Sequence, residues 1–160
     1  MTAQEYAKQV VNELNESWLP SIYRERILKT RTRSYHFGTL PARPQVRIQH
    51  TLLGVELQVG RRRMLCPDLA TARYLSVFAR AGCKDVAIPY DITRISLFAD
   101  ELESSWHRML LLADRIAGER TGAFRTRIHG LLIAKLRGEV SGAGAGAPVP
   151  EFRQSTKQRA

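Results

Sequence analysis

The sequence predicts a small α/β domain, with α+β as the neighbouring class, on three observations. Apolar residues recur at helical three- and four-residue steps in the first twenty positions and again from about residue 93. Between them, residues 46–66 alternate apolar and polar at the two-residue period of half-buried strands. A proline-opened, glycine-closed stretch, 67–82, then leads into Val86-Ala87-Ile88, a short apolar run that suits a buried strand. The expected architecture is one small mixed sheet of three to four strands. An N-terminal helix, a crossover helix and a long C-terminal helix pack on it, the crossover linking parallel strands.

Each element has a local cause. Thr2-Ala3-Gln4-Glu5 reads as a capping box, followed by Tyr6, Val10, Leu14 and Trp18 on one helical stripe. A short second helical piece is expected at 21–28 and a loop at 38–44. Val46 and Ile48 alternate with Arg47 and Gln49, and Val55, Leu57 and Val59 with Glu56 and Gln58. Gly60-Arg61 makes a turn, and 62–66 forms a further short strand. Pro67-Asp68 opens a helix with Leu69, Ala72, Leu75 (or Tyr74) and Phe78 on its apolar side, and Gly82 closes it. Asp91 or Thr93 caps the long helix, whose stripe is Ile95, Phe98, Leu102, Trp106, Met109, Leu112 and Ile116. Gly118 to Gly122 breaks it. A basic helix from about 124 to 137 comes last.

The domain is expected at residues 1–138. Residues 139–160, rich in Gly, Ala and Pro and then polar, bury too little apolar surface to order themselves and read as a disordered tail. The first residues, Met1-Thr2-Ala3-Gln4-Glu5, show no basic region followed by an apolar one. No apolar run approaches the roughly 20 residues that span a bilayer. A cytoplasmic protein without a transmembrane segment is therefore expected. The two cysteines, Cys66 and Cys83, fit neither a disulfide framework nor a zinc site.

Charge is the most informative feature. The formal net charge is +10, enough to attract polyanions, and it is unevenly spread. Residues 26–67 hold nine cations (Arg26, Lys29, Arg31, Arg33, Arg43, Arg47, Arg61, Arg62 and Arg63) against one acid, Glu56, whereas 68–119 is slightly acidic. Tyr23, Tyr35, His36 and Phe37 flank or interleave the strip. Arginine forks match phosphate oxygens and stack on bases, and a basic surface with aromatic platforms suits single-stranded nucleic acid. The expected contacts are Arg26, Lys29, Arg31, Arg33, Tyr35, Arg47, Arg61, Arg62 and Arg63, with the arginine triplet foremost because a tight turn projects it. The plainer account is a solvated basic face with Tyr35 and Phe37 in the core. A third account is an adaptor or regulatory subunit whose strip docks an acidic partner or a second copy as a homodimer. Arg125, Arg127, His129, Lys135 and Arg137 form a second basic stretch beside Ile128, Leu131, Leu132 and Leu136, as on a helix that packs its leucines inward.

Chemistry is harder to find. His36, His50, His107 and His129 fall in different elements without paired spacing, no metal-ligand set or cofactor motif is visible, and a non-enzymatic role is expected. Cys66 precedes a helix start, where a thiol can become nucleophilic, but with no assignable histidine it reads as a buried structural residue. The order helix, three strands, helix, strand over residues 3–90 resembles the restriction-endonuclease-like nucleases. That resemblance implies an aspartate on one strand and Glu-x-Lys on the next, holding Mg²⁺. Here Glu56-Leu57-Gln58 has glutamine in place of the lysine, and no acid lies between Glu25 and Glu56. The resemblance thus implies a degenerate nuclease fold without catalysis.

Overall fold

The computed structural model describes residues 1–41 and 44–146. Five α-helices, α1 (Ala3–Leu14), α2 (Leu19–Ile22, continued by a π-helical turn over Tyr23–Ile27), α3 (Leu69–Arg80), α4 (Ile92–Ala117) and α5 (Gly122–Ala143), combine with five strands. These are β1 (Thr32–His36), β2 (Val46–Thr51), β3 (Gly54–Val59), β4 (Arg62–Cys66) and β5 (Asp85–Pro89). The α/β class and the long C-terminal helices stand as expected.

The caps are where the sequence puts them. The Thr2 amide donates to Glu5 Oε2 at 2.9 Å and the Glu5 amide to Thr2 Oγ1 at 3.2 Å, closing the capping box of α1. Asp68 accepts from the Thr71 amide at 2.7 Å to open α3, and Asp91 from the Thr93 amide at 2.9 Å to open α4. Gly118, at φ +60°, ends α4 in a conformation that side-chain-bearing residues avoid, and Thr121 caps α5.

The strands form two antiparallel sheets in place of the single mixed sheet. β2, β3 and β4 make a meander in that order, and β1 pairs with β5. No described strand pair is parallel, so α3 connects two sheets and is not a parallel crossover. The reason lies in β1, which the sequence hides. Its residues Thr32-Arg33-Ser34-Tyr35-His36 lack an apolar alternation, yet they pair residue for residue with Pro89 to Asp85. The other edge of β5 is closed by side chains: at Ala87 the N–H donates to the Tyr23 hydroxyl at 2.8 Å, and the carbonyl accepts from the Tyr74 hydroxyl at 2.5 Å. With both edges satisfied and all but Asp85 buried, β5 needs no parallel neighbour. The nuclease-like order of elements therefore does not produce one sheet around the β2–β4 meander.

α3 lies between the meander and α4, while α1, α4 and α5 pack on one another. The core joins Leu57 and Val59 of the sheet, Tyr74, Leu75 and Phe78 of α3, Leu102 and Met109 of α4, and Ile128, Leu132 and Leu136 of α5, all nearly solvent-free. Between α3 and α4, Arg73 Nη2 bridges Asp100 at 2.5 Å and Glu103 at 2.6 Å, and its Nε donates to Glu103 at 3.1 Å.

The order expected to fail at residue 139 continues instead to 143. Glu139 anchors that last turn: its Oε1 accepts from Trp18 Nε1 at 3.0 Å and Arg24 at 3.4 Å, and Oε2 pairs with Lys135 at 3.3 Å. Beyond α5, the Tyr23 hydroxyl donates to the Gly144 carbonyl at 2.5 Å and the Ser34 hydroxyl to the Ala145 carbonyl at 2.9 Å. Gly146 then lies so close to the Thr32 side chain that a Cβ there would collide with it. The rest of the expected tail, 147–160, lies outside the described residues.

Burial alone would raise the Glu139 pKa, but the bonds from Trp18, Lys135 and Arg24 outweigh it and hold the carboxyl below its ordinary 4.5. A depressed folded-state pKa stabilises the fold fully above the unfolded value and is lost as pH falls through the folded one. Acidification below about pH 4.5 should therefore lower the melting temperature of the native protein more steeply than that of Glu139→Gln. Parallel acid profiles for the two proteins would refute this.

Candidate nucleic-acid interface

The basic strip is divided by the fold into cations that are already engaged and cations that are not. Arg26 forks onto Glu101, with Nη2 at 2.8 Å from Oε1, and lies over the Phe98 ring. Arg62 donates to the Phe37 carbonyl, tying β4 to the end of β1. Arg63 stands 3.8 Å from Glu56. By contrast, the side chains of Lys29, Arg33 and Arg61 are exposed and bond to no described residue, and Arg47 meets, among the described residues, only the neutral Gln58 at 3.2 Å. Arg43 lies outside the described residues.

Register explains where these side chains point. On the meander, Arg47, Gln58 and Arg63 face one another across β2, β3 and β4, as do Gln49, Glu56 and Leu65. The opposite face carries Ile48, Leu57 and Met64 toward the core. Arg61 projects from the turn after Gly60, whose φ of +60° allows the tight reversal. Of the triplet, then, Arg61 is the open cation, while Arg62 and Arg63 are spoken for.

Tyr35 is half-buried between the two sheets. Its hydroxyl donates to Met64 Sδ at 3.1 Å and its ring meets Phe37 edge-on with centroids 5.0 Å apart. Burial, with Cys66 nearby, raises its pKa despite the opposing pull of Arg62. This ring is held by the fold more than it is offered to solvent.

A second aromatic does stand open, and the sequence strip does not contain it. Tyr90, at the end of β5, is 42% exposed, and the Arg31 guanidinium sits 5.1 Å from its ring centroid. The Tyr90 amide donates to the Arg31 carbonyl at 3.2 Å, extending the β1–β5 ladder by one step. Arg94, one turn into α4, shares a cleft with Lys29, Thr30, Arg31, Tyr90 and Asp91. Tyr90 and Arg94 lie in the part of the chain that is slightly acidic overall, so charge counting along the sequence passes over them. A signal was present nonetheless: an aromatic directly before a helix cap, with a cation in the first turn.

Most of the remaining candidates are tied into the structure, Arg127 being the exposed exception. In the second basic stretch Arg125 donates to the Gly118 carbonyl, His129 meets Asp114 at 2.8 Å, and Arg137 donates to the Ala81 carbonyl at 3.1 Å. Burial raises the pKa of Cys66, with Asp68 adding to it, and pushes the Cys83 thiol up to about 12, so neither is an activated nucleophile. Among the described residues no three His, Cys, Asp or Glu side chains gather where they could hold a metal ion, and Glu56 faces Arg63. No described helix is long and apolar enough to cross a membrane. Compared with known proteins, the chain matches no family model, no curated protein and no solved structure.

Proposed function

We propose that the chain is a non-enzymatic accessory protein that binds RNA or single-stranded DNA through the 26–67 strip. The observation that supports this reading is the set of exposed cations without a carboxylate partner among the described residues: Lys29, Arg31, Arg33, Arg47 and Arg61. Arg26 and Arg63 of the same strip have carboxylate partners, and among the described residues these five do not. Cations left open on a protein of this net charge are free to neutralise backbone phosphates, and the release of the counterions condensed on the nucleic acid then drives binding.

The test is fluorescence anisotropy with labelled oligouridine and oligothymidine across a salt series. Replacing Arg33, Arg47 and Arg61 together by alanine should weaken binding and flatten the salt dependence by about 2 in log–log slope, at about 0.7 for each single-strand phosphate contact. These three are chosen over the full triplet because removing Arg62 would also untie β1 from β4. Failure of the native protein to bind either strand at low salt would overturn the proposal.

The adaptor reading has its own support in Leu52, Leu53 and Leu65, which are 107%, 84% and 64% exposed beside the β2–β3 turn. Apolar exposure of that kind is common at protein contacts. A salt-dependent dimer in sedimentation, with no shift of any oligonucleotide, would favour it.

A further inference from the structure

Lys29, Arg31 and Arg94 surround one ring, Tyr90, in an open cleft of about 580 Å³. The volume is within the usual range for a small-molecule site. The sole acid among the described residues lining it is Asp91, and its Oδ1 already accepts the Thr93 amide as the cap of α4. The Thr30 hydroxyl is also used, donating to the Ile27 carbonyl at 2.7 Å. Three cations against one carboxylate leave an excess positive charge in a small space, and a bound anion relieves their mutual repulsion. The first turn of the 26-residue helix α4 adds to the same field.

The ring decides what kind of anion fits. A bare phosphate would satisfy the charge and leave Tyr90 unused. A nucleotide uses both: its phosphate meets guanidinium and ammonium groups, and its base stacks on the tyrosine or on the guanidinium lying over it. We propose, resting on the nucleic-acid reading above, that this cleft holds one nucleotide of the bound strand. Its phosphate lies among Lys29, Arg31 and Arg94, and its base stacks on the Arg31–Tyr90 pair. Tyr90 and Arg94 thereby join the interface from outside the basic strip. Arg33, two residues along the strand on the same side as Arg31, extends the path for the next phosphate.

The experiment measures binding of labelled oligouridine to the full chain carrying Tyr90→Leu, Arg94→Ala or both, with Arg115→Ala as a charge control roughly 30 Å away along α4. Each cleft variant should lose about tenfold in affinity, and Tyr90→Phe should restore most of what Tyr90→Leu loses. Arg115→Ala should change affinity by less than the cleft variants. Ultraviolet cross-linking of a 5-bromouridine oligonucleotide should mark the Tyr90 peptide. Uridine monophosphate should compete at lower concentration than inorganic phosphate. If the native protein binds the oligonucleotide and the cleft variants bind equally well, the cleft assignment is overturned while the broader reading stands. If the native protein binds no oligonucleotide, both are overturned.

Discussion

Replacing Tyr23 by phenylalanine should destabilise the protein by about 2 kcal/mol, mostly from the buried Ala87 N–H left unpaired, with a smaller share from the half-buried Gly144 carbonyl. The hydroxyl removed is the acceptor for the Ala87 N–H at 2.8 Å and the donor to the Gly144 carbonyl at 2.5 Å. The Ala87 N–H sits where water cannot substitute, because Ala87 is solvent-free and the Tyr23 ring packs edge-on against Phe78 with centroids 5.5 Å apart. The Gly144 carbonyl, by contrast, is only half-buried. Burial pushes the Tyr23 pKa up to about 12, against the lowering effect of the Ala87 bond, so the hydroxyl remains a neutral donor through the physiological range. The ring itself is kept in the variant, so the loss reports the two hydrogen bonds and not a cavity. Urea unfolding should show a lower midpoint at unchanged slope. A loss below about 0.5 kcal/mol, the size of an ordinary surface change, would show that the hydroxyl does not close the β5 edge. Tyr74→Phe strips the other bond at Ala87, and the two losses should be non-additive because they share that residue.

Arg73→Ala should cost about 2 kcal/mol. The guanidinium is the main polar tie between α3 and α4 and holds two acids at once. Its side chain is only 27% exposed, and those acids raise its pKa further, mainly through the Glu103 and Asp100 hydrogen bonds. Asp100 is more open at 63%, so that half of the bridge is screened and contributes less. The variant also leaves Asp100, Glu101 and Glu103 close together with less compensation, and salt should recover part of the stability. A melting temperature unchanged at low salt would refute the assignment.

Much of the scaffold was legible because its causes are local. The capping box at Thr2 and Glu5, the Asp68 and Asp91 caps and the Gly118 stop all act within four residues, and the meander follows from alternation and a glycine turn. β1 was not legible. Its side chains divide between solvent, the Phe37 contact and the segment after α5, so no two-residue apolar period survives. The split into two sheets was equally hidden, since the apolar run of β5 has the composition of a central parallel strand. What makes it an edge is two tyrosine hydroxyls contributed from distant positions. At the candidate site, the concentration of charge could be read from residue order, but its neutralisation could not. The partner of Arg26 is 75 residues away, and the open ring beside Arg31 belongs to a segment of opposite average charge.

The bonds from Tyr23 to Gly144 and from Trp18 to Glu139 each span 121 residues. During synthesis the chain emerges from its N-terminal end, and contacts of such long separation form late. The Tyr23 hydroxyl cannot find its carbonyl, nor Trp18 its carboxylate, until the end of α5 has cleared the ribosomal tunnel. Until then the two sheets and α3 can collapse, but the seam joining α5 to the N-terminal segment stays open. A ribosome stalled before residue 139 should therefore display a nascent chain that is cut by protease near residues 18–24, and release of the following residues should abolish that cutting.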